Sequence, residues 1–366
     1  MSVLFTPVTV RGLTIRNRIW LAPMCQYAVE AHDGVPHRWH LVHLGARAAG
    51  GFGLVMTEAV GVTAQGRISA WDTGLWNDEQ LHAWAGIVDF VHAQGASAGI
   101  QLAQAGRKAG SGSGSPWFDP QAGTADWETI GPSPLSWNGF PAPREMSRHD
   151  IADVVAAFAD AARRAVTAGF DLVEIHGAHG YLLHSFLSPL SNRRDDDYGG
   201  STDNRSRFLL EVVDAVRAAI PDTMPLVVRL SATDWIEGGL TPEDCVELAA
   251  RLREHGVDVV DASSGGLDER QVIPVGPGYQ IGFAERIRAE TGLMTGGVGF
   301  VTDPLEAEAI VASGRADVVS VGRAALREPA WPLRAAHELG VHRHEAPYPP
   351  AYTKGAWRPA DVPLER

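Results

Sequence analysis

The sequence has little cysteine, and it has no long apolar run. Only two cysteines, Cys25 and Cys245, occur among 366 residues, which excludes a disulfide framework and an iron–sulfur cluster. No stretch approaches the roughly 18 consecutive apolar residues of a membrane-spanning helix. The first residues also have no apolar core of a signal peptide. We therefore expect a protein of a reducing compartment, the cytoplasm.

Positive charge is scarce too. Lysine and arginine together number 31 against 44 aspartates and glutamates, which gives a formal net charge of -13, and Lys108 and Lys354 are the only lysines. This balance argues against a surface for nucleic acid or anionic membranes. The remaining composition, 45% hydrophobic and 20% charged, is that of a globular protein. The length allows two average domains or one α/β barrel.

Eight short apolar runs alternate with stretches of helical period. The runs are nearly continuous, which is typical of parallel strands covered on both faces. The predicted strands are Ile19–Met24, Phe52–Val60, Ala98–Ala103, Leu172–Ala178, Pro225–Ala232, Val257–Ser264, Leu293–Val298 and Asp317–Gly322.

The helical stretches between these runs begin at recognisable caps. Ser147, Thr241 with the following Pro242, and Asp303 are N-cap residues by type and position. The predicted helices are Asp78–Gln94, Asp150–Ala168, Thr202–Ile220, Thr241–His255 and Asp303–Ser313. Eight such units predict a (β/α)8 TIM barrel. A doubly wound open sheet is the alternative, and it would need a glycine-rich phosphate turn after the first strand, where Cys25-Gln-Tyr27 stands.

Two segments lie outside the repeating pattern. Residues 8–16 alternate around Gly12 and predict a small N-terminal hairpin that closes the barrel floor. Residues 106–144 form a long loop after strand three, rich in Gly, Ser, Pro and Trp. Loops of this length are usually functional or disordered, and this one follows a strand end on the side where barrel enzymes hold their sites. We read residues 1–366 as a single domain.

Polar residues concentrate at the predicted strand ends, and His176, His179 and Tyr181 form the most informative group. A metal site is one interpretation, but no nearby cysteine or acid completes a ligand set, so we expect no metal. Two imidazoles could instead donate to one developing oxyanion while the tyrosine delivers a proton. The three side chains could also simply satisfy local backbone groups.

The ends of the other strands offer further candidates. Gly297 and Gly322-Arg323 end strands seven and eight, where barrels often bind phosphate; simple turn glycines are the alternative. Arg229 stands in an apolar run, so it needs an anion or an internal salt bridge. Cys25 ends strand one and is either inert packing or functional; we interpret Cys245 as structural.

Taken in order, these residues resemble the old yellow enzyme family of flavin-dependent ene-reductases, in its thermophilic-like bacterial branch. The resemblance covers essentially the whole chain. Its motifs are Leu4-Phe-x-Pro7, Arg16-Asn-Arg18, Ala22-Pro-Met-Cys-Gln-Tyr27, Gln101-Leu-Ala-Gln-Ala-Gly-Arg-Lys108, Glu174-Ile-His-Gly-Ala-His-Gly-Tyr181, Tyr198-Gly-Gly-Ser-x-x-Asn-Arg-Ser-Arg-Phe208, Val321-Gly-Arg323 and Tyr352-Thr-Lys-Gly-Ala-Trp357.

The resemblance implies a tightly bound FMN and a role for each matching position. His176 and His179 would hold a substrate oxygen, Tyr181 would donate the proton, and Cys25 would tune the flavin potential. Substrate contacts would come from Tyr27, Lys108, Val298 and Trp357. The FMN-binding positions would be Pro23, Met24, Cys25, Ala59, Gln101, His176, Arg229, Gly297, Gly322 and Arg323.

The resemblance also implies the reaction and the assembly. NADPH or NADH would reduce the flavin, which would then reduce activated C=C bonds of unsaturated carbonyl or nitro compounds. Oxidative demethylation and reduction of nitro compounds or nitrate esters are alternatives on the same barrel. Relatives in this branch insert an arginine or tryptophan of the C-terminal tail into the site of a neighbouring subunit. The tail here, 341–366, offers Lys354 and Trp357 for this role, so we expect a homodimer or homotetramer.

Two other classes of function remain open. A flavin-free phosphate-binding barrel lyase of the aldolase type needs a catalytic lysine at a strand end, and neither lysine lies on a predicted strand. A binding protein without catalysis is disfavoured by the cluster of two histidines and a tyrosine.

Overall fold

A computed structural model describes residues 2–110 and 127–357 of the chain. Eight parallel strands form a closed barrel in which the last strand pairs with the first, so the predicted (β/α)8 architecture is confirmed. The strands in chain order are β1 Val8–Val10, β2 Leu13–Ile15, β3 Ile19–Leu21, β4 Leu54–Gly61, β5 Ser97–Ala103, β6 Ile130–Gly131, β7 Arg144–Glu145, β8 Leu172–Gly177, β9 Leu226–Ser231, β10 Val259–Ser263, β11 Met294–Gly297 and β12 Val318–Val321.

Helices cover the outside of the barrel, and their first residues explain where they start. The Ser147 side chain accepts a hydrogen bond from the Asp150 amide, and Thr241 does the same for Asp244. Asp303 accepts from two amides, so all three predicted caps are confirmed. The helices are α1 Arg38–Ala49, α2 Asp78–Ala93, α3 Arg148–Thr167, α4 Leu182–Leu187, α5 Thr202–Ala219, α6 Pro242–Glu254, α7 Ile281–Thr291, α8 Pro304–Ala312, α9 Arg323–Arg327 and α10 Trp331–Glu338.

The antiparallel hairpin β1–β2 closes the end of the barrel at which the strands begin. Its side chains Val8, Val10 and Ile15 are buried in one apolar cluster. Trp20 of β3 and Leu54, the first residue of β4, belong to the same cluster. This arrangement confirms the predicted barrel floor. It leaves the opposite end, where the strands finish, as the open face for a site.

The long loop after β5 is partly described. It opens with a 3-10 turn, Gly106–Lys108, and later contributes the short parallel pair β6–β7. The loop predicted at 106–144 also contains a run of Gly and Ser at 110–115. Residues 111–126 lie outside the part of the chain that the structure describes.

The C-terminal tail after α10 contains a 3-10 turn, Pro350–Gly355, that exposes Lys354. The Trp357 ring lies 5.2 Å from the ring of His337 in α10 and is 43% exposed. Among the described residues, no helix is long and apolar enough to cross a membrane.

Candidate active site

The predicted group of two histidines and a tyrosine is assembled at the carboxyl end of β8. The His176 ring lies 5.1 Å from the His179 ring and 5.0 Å from the Tyr181 ring, in both cases edge to face. His179 adopts a left-handed backbone conformation with φ of 58°, which turns the chain back before α4. Tyr181 is the N-cap residue of α4. The strand, the turn and the helix start therefore direct three polar side chains to one place.

Burial determines the protonation of this group. Burial, reinforced by the positive charge of Arg229, lowers the pKa of His176 and of His179 well below the usual value. Burial, reinforced by Cys25 and Asp72, raises the pKa of Tyr181. At neutral pH both imidazoles are therefore uncharged with one N–H each, and the tyrosine keeps its proton. Because the histidines are neutral in the folded state, their contribution to stability is lost as the pH falls below about 6.5.

The neighbouring strands hold the His179 side chain and backbone. Its Nε2 lies 2.7 Å from Ser263 Oγ at the end of β10, and its amide donates to Ser231 Oγ at 3.0 Å. His176 is 3% exposed, and its Nδ1 is buried without a partner among the described residues. A buried polar atom of this kind is costly unless a ligand satisfies it.

Arg229 lies in the barrel beside two carboxyl groups. Its Nε is 3.2 Å from Asp261 Oδ2, so the internal salt bridge considered from the sequence is present. Gln101 Nε2 donates to Glu174 Oε1 at 2.6 Å, and burial raises the pKa of Glu174 to about 8. Sequence reasoning missed the role of Asp261, although an acid inside the apolar run of β10 was a usable sign of a buried charge pair.

A cavity extends from Arg229 and Ser263 to the ends of β11 and β12. The guanidinium of Arg323 lies 3.7 Å from the centroid of the Phe300 ring. Val298, Gly322 and Arg323, which the sequence analysis predicted as site residues, line the cavity. Phe300 also lines it and was not predicted. The lining residues are Arg229, Ser263, Tyr279, Gln280, Val298, Gly299, Phe300, Val301, Thr302, Ser320, Gly322, Arg323 and Ala324.

Gly297 lies immediately before this lining and serves packing. A Cβ built on it would meet Ile281 Cδ1 at 2.8 Å and the Ala316 methyl at 3.2 Å. A side chain at position 297 would therefore point toward Ile281 of α7 and Ala316, which precedes β12.

A packed apolar cluster around Ala59, the Ala59 cluster, lies against Tyr181. Ala59 of β4 packs with Ile68 and with alanines of and after β5, and the side chains of Cys25, Tyr27 and Tyr181 lie against them. Pro23 and Met24 follow β3, and a Cβ on Gly322 would lie 3.7 Å from Met24 Sδ. Of the residues predicted to contact FMN, Cys25 and Ala59 therefore share this cluster, and Met24 lies close to Gly322.

Cys25 belongs to a group of buried acids that the sequence did not reveal. The ligand atoms of Cys25, Glu58 and Asp72 lie within 4.8 Å of one another, and Glu58 Oε1 is 3.1 Å from His40 Nε2. Burial, together with the charges of Asp72 and Glu58, raises the pKa of the Cys25 thiol. Cys25 is therefore a thiol at neutral pH. Cys245 lies buried in α6, where burial raises its pKa to about 12.

Two predicted substrate contacts have other neighbours in this chain. Lys108 Nζ donates to the backbone oxygens of His179 and Gly266. The ring of Trp357, in the tail, lies against the ring of His337 in α10.

A family model described as "NADH:flavin oxidoreductase / NADH oxidase family" matches residues 3–341 of the chain. The chain belongs to this family. The predicted relationship to old yellow enzymes is thereby confirmed, and the protein is a flavin-dependent oxidoreductase that uses FMN with a nicotinamide nucleotide as reductant.

Individual relatives agree with this assignment. The chain is 49% identical over 358 residues to an NADPH dehydrogenase of Geobacillus thermodenitrificans (strain NG80-2), covering 98% of this chain and 99% of the relative. Morphinone reductase superposes with a TM-score of 0.77 at 30% identity, covering 93% of this chain and 90% of that protein. A 2-naphthoyl-CoA reductase complex gives a TM-score of 0.83 at 26% identity, covering 94% of this chain, which spans only 53% of that longer protein.

The residues present fit FMN. The barrel mouth brings the Ala59 cluster, whose apolar side chains would pack against the ring system, together with a cavity whose far end carries the cation of Arg323 and the first amides of α9. That end suits a phosphate, and the unpartnered Nδ1 of His176 is a buried polar atom that a ligand can satisfy. Arg229 and Gln101 would hold the polar edge of the ring.

The tight turn behind the histidines gives a testable expectation about stability. Gly180 has φ of 75°, and a Cβ on it would lie 2.3 Å from the Gly266 backbone oxygen. Gly180→Ala therefore adds a steric clash to left-handed strain, and strain of this kind alone costs about 1–3 kcal/mol. Gly340→Ala is the matched control, because Gly340 has φ of 70° and no atom within 4 Å of its Cβ position. We expect urea denaturation to show a clearly larger loss for Gly180→Ala, and equal losses would contradict the close approach.

Proposed function

We propose that this protein uses NADPH to reduce the C=C bond of α,β-unsaturated carbonyl and nitro compounds. One observation supports this most strongly: two neutral imidazoles and a protonated tyrosine meet beside the apolar Ala59 cluster at the barrel mouth. This set can hold one oxygen and supply one proton, which is what reduction of an electron-poor alkene demands of a protein.

His176 and His179 bind the carbonyl or nitro oxygen of the substrate. Because both imidazoles are uncharged, they donate hydrogen bonds without the desolvation cost of a buried cation. Negative charge grows on that oxygen when a hydride reaches the β-carbon, so the two donors favour the transition state over the ground state. Each preorganised donor of this kind contributes about 2.7–4 kcal/mol.

Ser263 decides which nitrogen of His179 can donate. Its Oγ lies 2.7 Å from His179 Nε2 and 3.4 Å from Gln280 Oε1, which also accepts from Ser264 Oγ at 2.7 Å. Because the Ser264 hydroxyl makes the shorter bond to Gln280 and Nε2 is the nearer partner of Ser263, we assign the Ser263 proton to His179 Nε2. His179 then carries its proton on Nδ1, which leaves that N–H for the substrate oxygen.

Tyr181 supplies the proton to the α-carbon. Its hydroxyl stays protonated because burial and the nearby acids raise its pKa. The ring also lies 5.0 Å from His176, so donor and oxygen-binding groups share one substrate. When bound, FMN would supply the hydride, which it would receive from NADPH.

Isotope labelling tests this assignment of atoms. With 2-cyclohexenone and NADPH deuterated at the transferred position, we expect cyclohexanone labelled at the β-carbon. With unlabelled NADPH in D2O, we expect label at the α-carbon from the exchangeable Tyr181 hydroxyl. Mass spectrometry and NMR of the product measure both positions. Recovery of unreduced cyclohexenone while NADPH is consumed would show that the protein reduces another electron acceptor.

We also propose that the chain forms a homodimer or homotetramer. The tail presents exposed aromatic side chains, Tyr352 at 61% and Trp357 at 43%, and exposed apolar groups of this size commonly mark protein interfaces. Light scattering of the purified protein should give a mass of two or four chains, whereas a single-chain mass at micromolar concentration would contradict the proposal.

A further inference from the structure

Lys108 connects two loops of the barrel mouth from a position just after β5. Its side chain is 8% exposed, and its Nζ donates to the His179 backbone oxygen at 2.7 Å and to the Gly266 backbone oxygen. The first oxygen belongs to the turn after β8, which also carries Tyr181. The second belongs to the loop after β10. The Nζ atom therefore lies where three βα loops meet. Burial and the neighbouring charge of Arg107 lower the pKa of Lys108 to about 7, whereas the two backbone oxygens that accept from Nζ favour its charged form.

These two loops touch backbone to backbone. A Cβ on Gly180 would lie 2.3 Å from the Gly266 oxygen, and a Cβ on Gly266 would lie 2.6 Å from His179 Cα. No side chain fits between the loops, so their carbonyl groups converge on the same small region. Two converging carbonyl oxygens repel each other and need a shared donor, and a charged donor bonds each of them more strongly than a neutral one.

Aromatic rings complete the surroundings of the ammonium. Nζ lies 4.3 Å from the centroid of the Trp137 ring and 5.2 Å from that of Tyr181, distances typical of cation–π contacts. The preceding residue, Arg107, donates to the Leu267 backbone oxygen at 2.8 Å. Arg107 thus connects the 3-10 turn after β5, which contains Lys108, to Leu267, the residue after Gly266 in the loop that follows β10.

We propose that Lys108 is a positioning residue, whose ammonium fixes the turn carrying His179 and Tyr181 against the loop after β10 and so sets the direction in which Tyr181 delivers its proton. This inference rests on the proposed role of Tyr181. It differs from the substrate contact expected from the sequence, because the ammonium is used by two backbone oxygens and two rings.

Substitution with separate measurement of the two half-reactions tests the proposal. Lys108→Met keeps an unbranched side chain as far as Cε and removes the charged Nζ. A small misplacement of a catalytic group can cost up to about 100-fold. We expect the reaction of the reduced protein with 2-cyclohexenone to slow about 10- to 100-fold, while its reduction by NADPH changes far less. Lys108→Arg should recover most of the rate, since it restores a charged donor. Arg163→Met, an exposed charge on α3 that is 57% accessible, is the matched control.

The outcomes separate the inference from the proposed function. If Lys108→Met reacts with 2-cyclohexenone like the unchanged protein while Tyr181→Phe is slow, the positioning role of Lys108 is wrong and the proposed reaction stands. If Tyr181→Phe is also unaffected, both are wrong. Equal loss in both half-reactions of Lys108→Met, without recovery in Lys108→Arg, would assign Lys108 a merely structural role.

A labelling experiment on the unchanged chain remains informative even if Lys108→Met does not fold. The sequence contains only two lysines, Lys108 and Lys354, and Lys354 is exposed. With formaldehyde and cyanoborohydride, we expect rapid methylation of Lys354 and much slower methylation of Lys108, because its amine becomes accessible only when the loops open. Peptide mass spectrometry measures both rates. Equal rates would contradict the placement of Lys108 and overturn the proposal.

Discussion

Tyr181→Phe slows the reaction of the reduced protein with 2-cyclohexenone by about 10²- to 10⁴-fold, the usual contribution of a positioned general acid. The variant removes one hydroxyl and keeps the ring. The centroid of this ring lies 5.0 Å from that of His176, and the ring packs against the Ala59 cluster. Reduction by NADPH needs no proton from this hydroxyl, so its rate should change by no more than about twofold. Anaerobic stopped-flow spectroscopy measures the two half-reactions separately.

Tyr27→Phe is a matched control for the loss of a tyrosine hydroxyl beside the Ala59 cluster. Tyr27 lies beside Cys25 and packs against the same alanines as Tyr181, but it has no role in proton delivery in our account. Its effect on the rate at which the reduced protein reacts with 2-cyclohexenone should be much smaller. If the two variants lose rate equally, or if Tyr181→Phe slows both half-reactions alike, Tyr181 is not the proton donor.

His176→Ala lowers the rate of the same step by about 10²- to 10³-fold, the cost of removing one preorganised donor from a developing oxyanion. The loss should be concentrated in the step that places negative charge on the substrate oxygen, because the hydrogen bond is strongest there. FMN content has to be measured in parallel, since His176 is also a predicted cofactor contact. Rates are then compared per bound FMN.

His149→Ala is the control for this histidine substitution. His149 lies on α3 with an 86% accessible side chain and only a distant partner, Asp153, so its removal should leave both half-reactions unchanged. His176 is neutral because burial and Arg229 lower its pKa. We therefore expect the enone step to show no loss of rate from protonation of His176 between pH 6 and 8. A steep loss as the pH falls through about 6.5 would contradict the lowered pKa of His176, and a steep loss as the pH rises through that value would indicate that the imidazole is charged when it acts.

The barrel itself was predictable because local sequence specifies each of its units. Strands such as β8 and β9 are nearly continuous apolar runs, and helices such as α6 begin with Thr-Pro and two acids. Other helices carry weaker signs. Helix α7 is preceded by the N-cap residue Gln280, whose side chain makes no capping bond, and it has a glycine at its second position, so the periodicity did not identify it. The 3-10 turn Gly106–Lys108 and the short α4 and α9 depend on tertiary contacts at the barrel mouth.

The candidate site was predicted where a side chain follows directly from a strand end. His176, Arg229 and Arg323 belong to this group. Partners fixed by the register between strands were missed. Asp261 lies beside Arg229 because β9 and β10 pair in parallel with these two residues opposite each other, and no local pattern contains that register.

The buried acids around Cys25 were missed for a related reason. Asp72 follows β4 by eleven residues and returns to Cys25 through a loop that contacts β5. Such a return depends on loop geometry, which single-sequence patterns describe poorly. Lys108 is a similar case. Its position after β5 was evident, but the carbonyl groups that it bonds lie 71 and 158 residues further along the chain.

The most direct test of the central claim is an anaerobic spectrum followed through one cycle. The purified protein should be yellow, lose its visible absorbance on addition of NADPH, and regain it when 2-cyclohexenone is added without oxygen. This result would demonstrate both half-reactions on one site. A yellow protein that loses its colour with NADPH and ignores the enone would contradict the proposed substrate class. A colourless protein that cannot take up FMN would contradict the site as described.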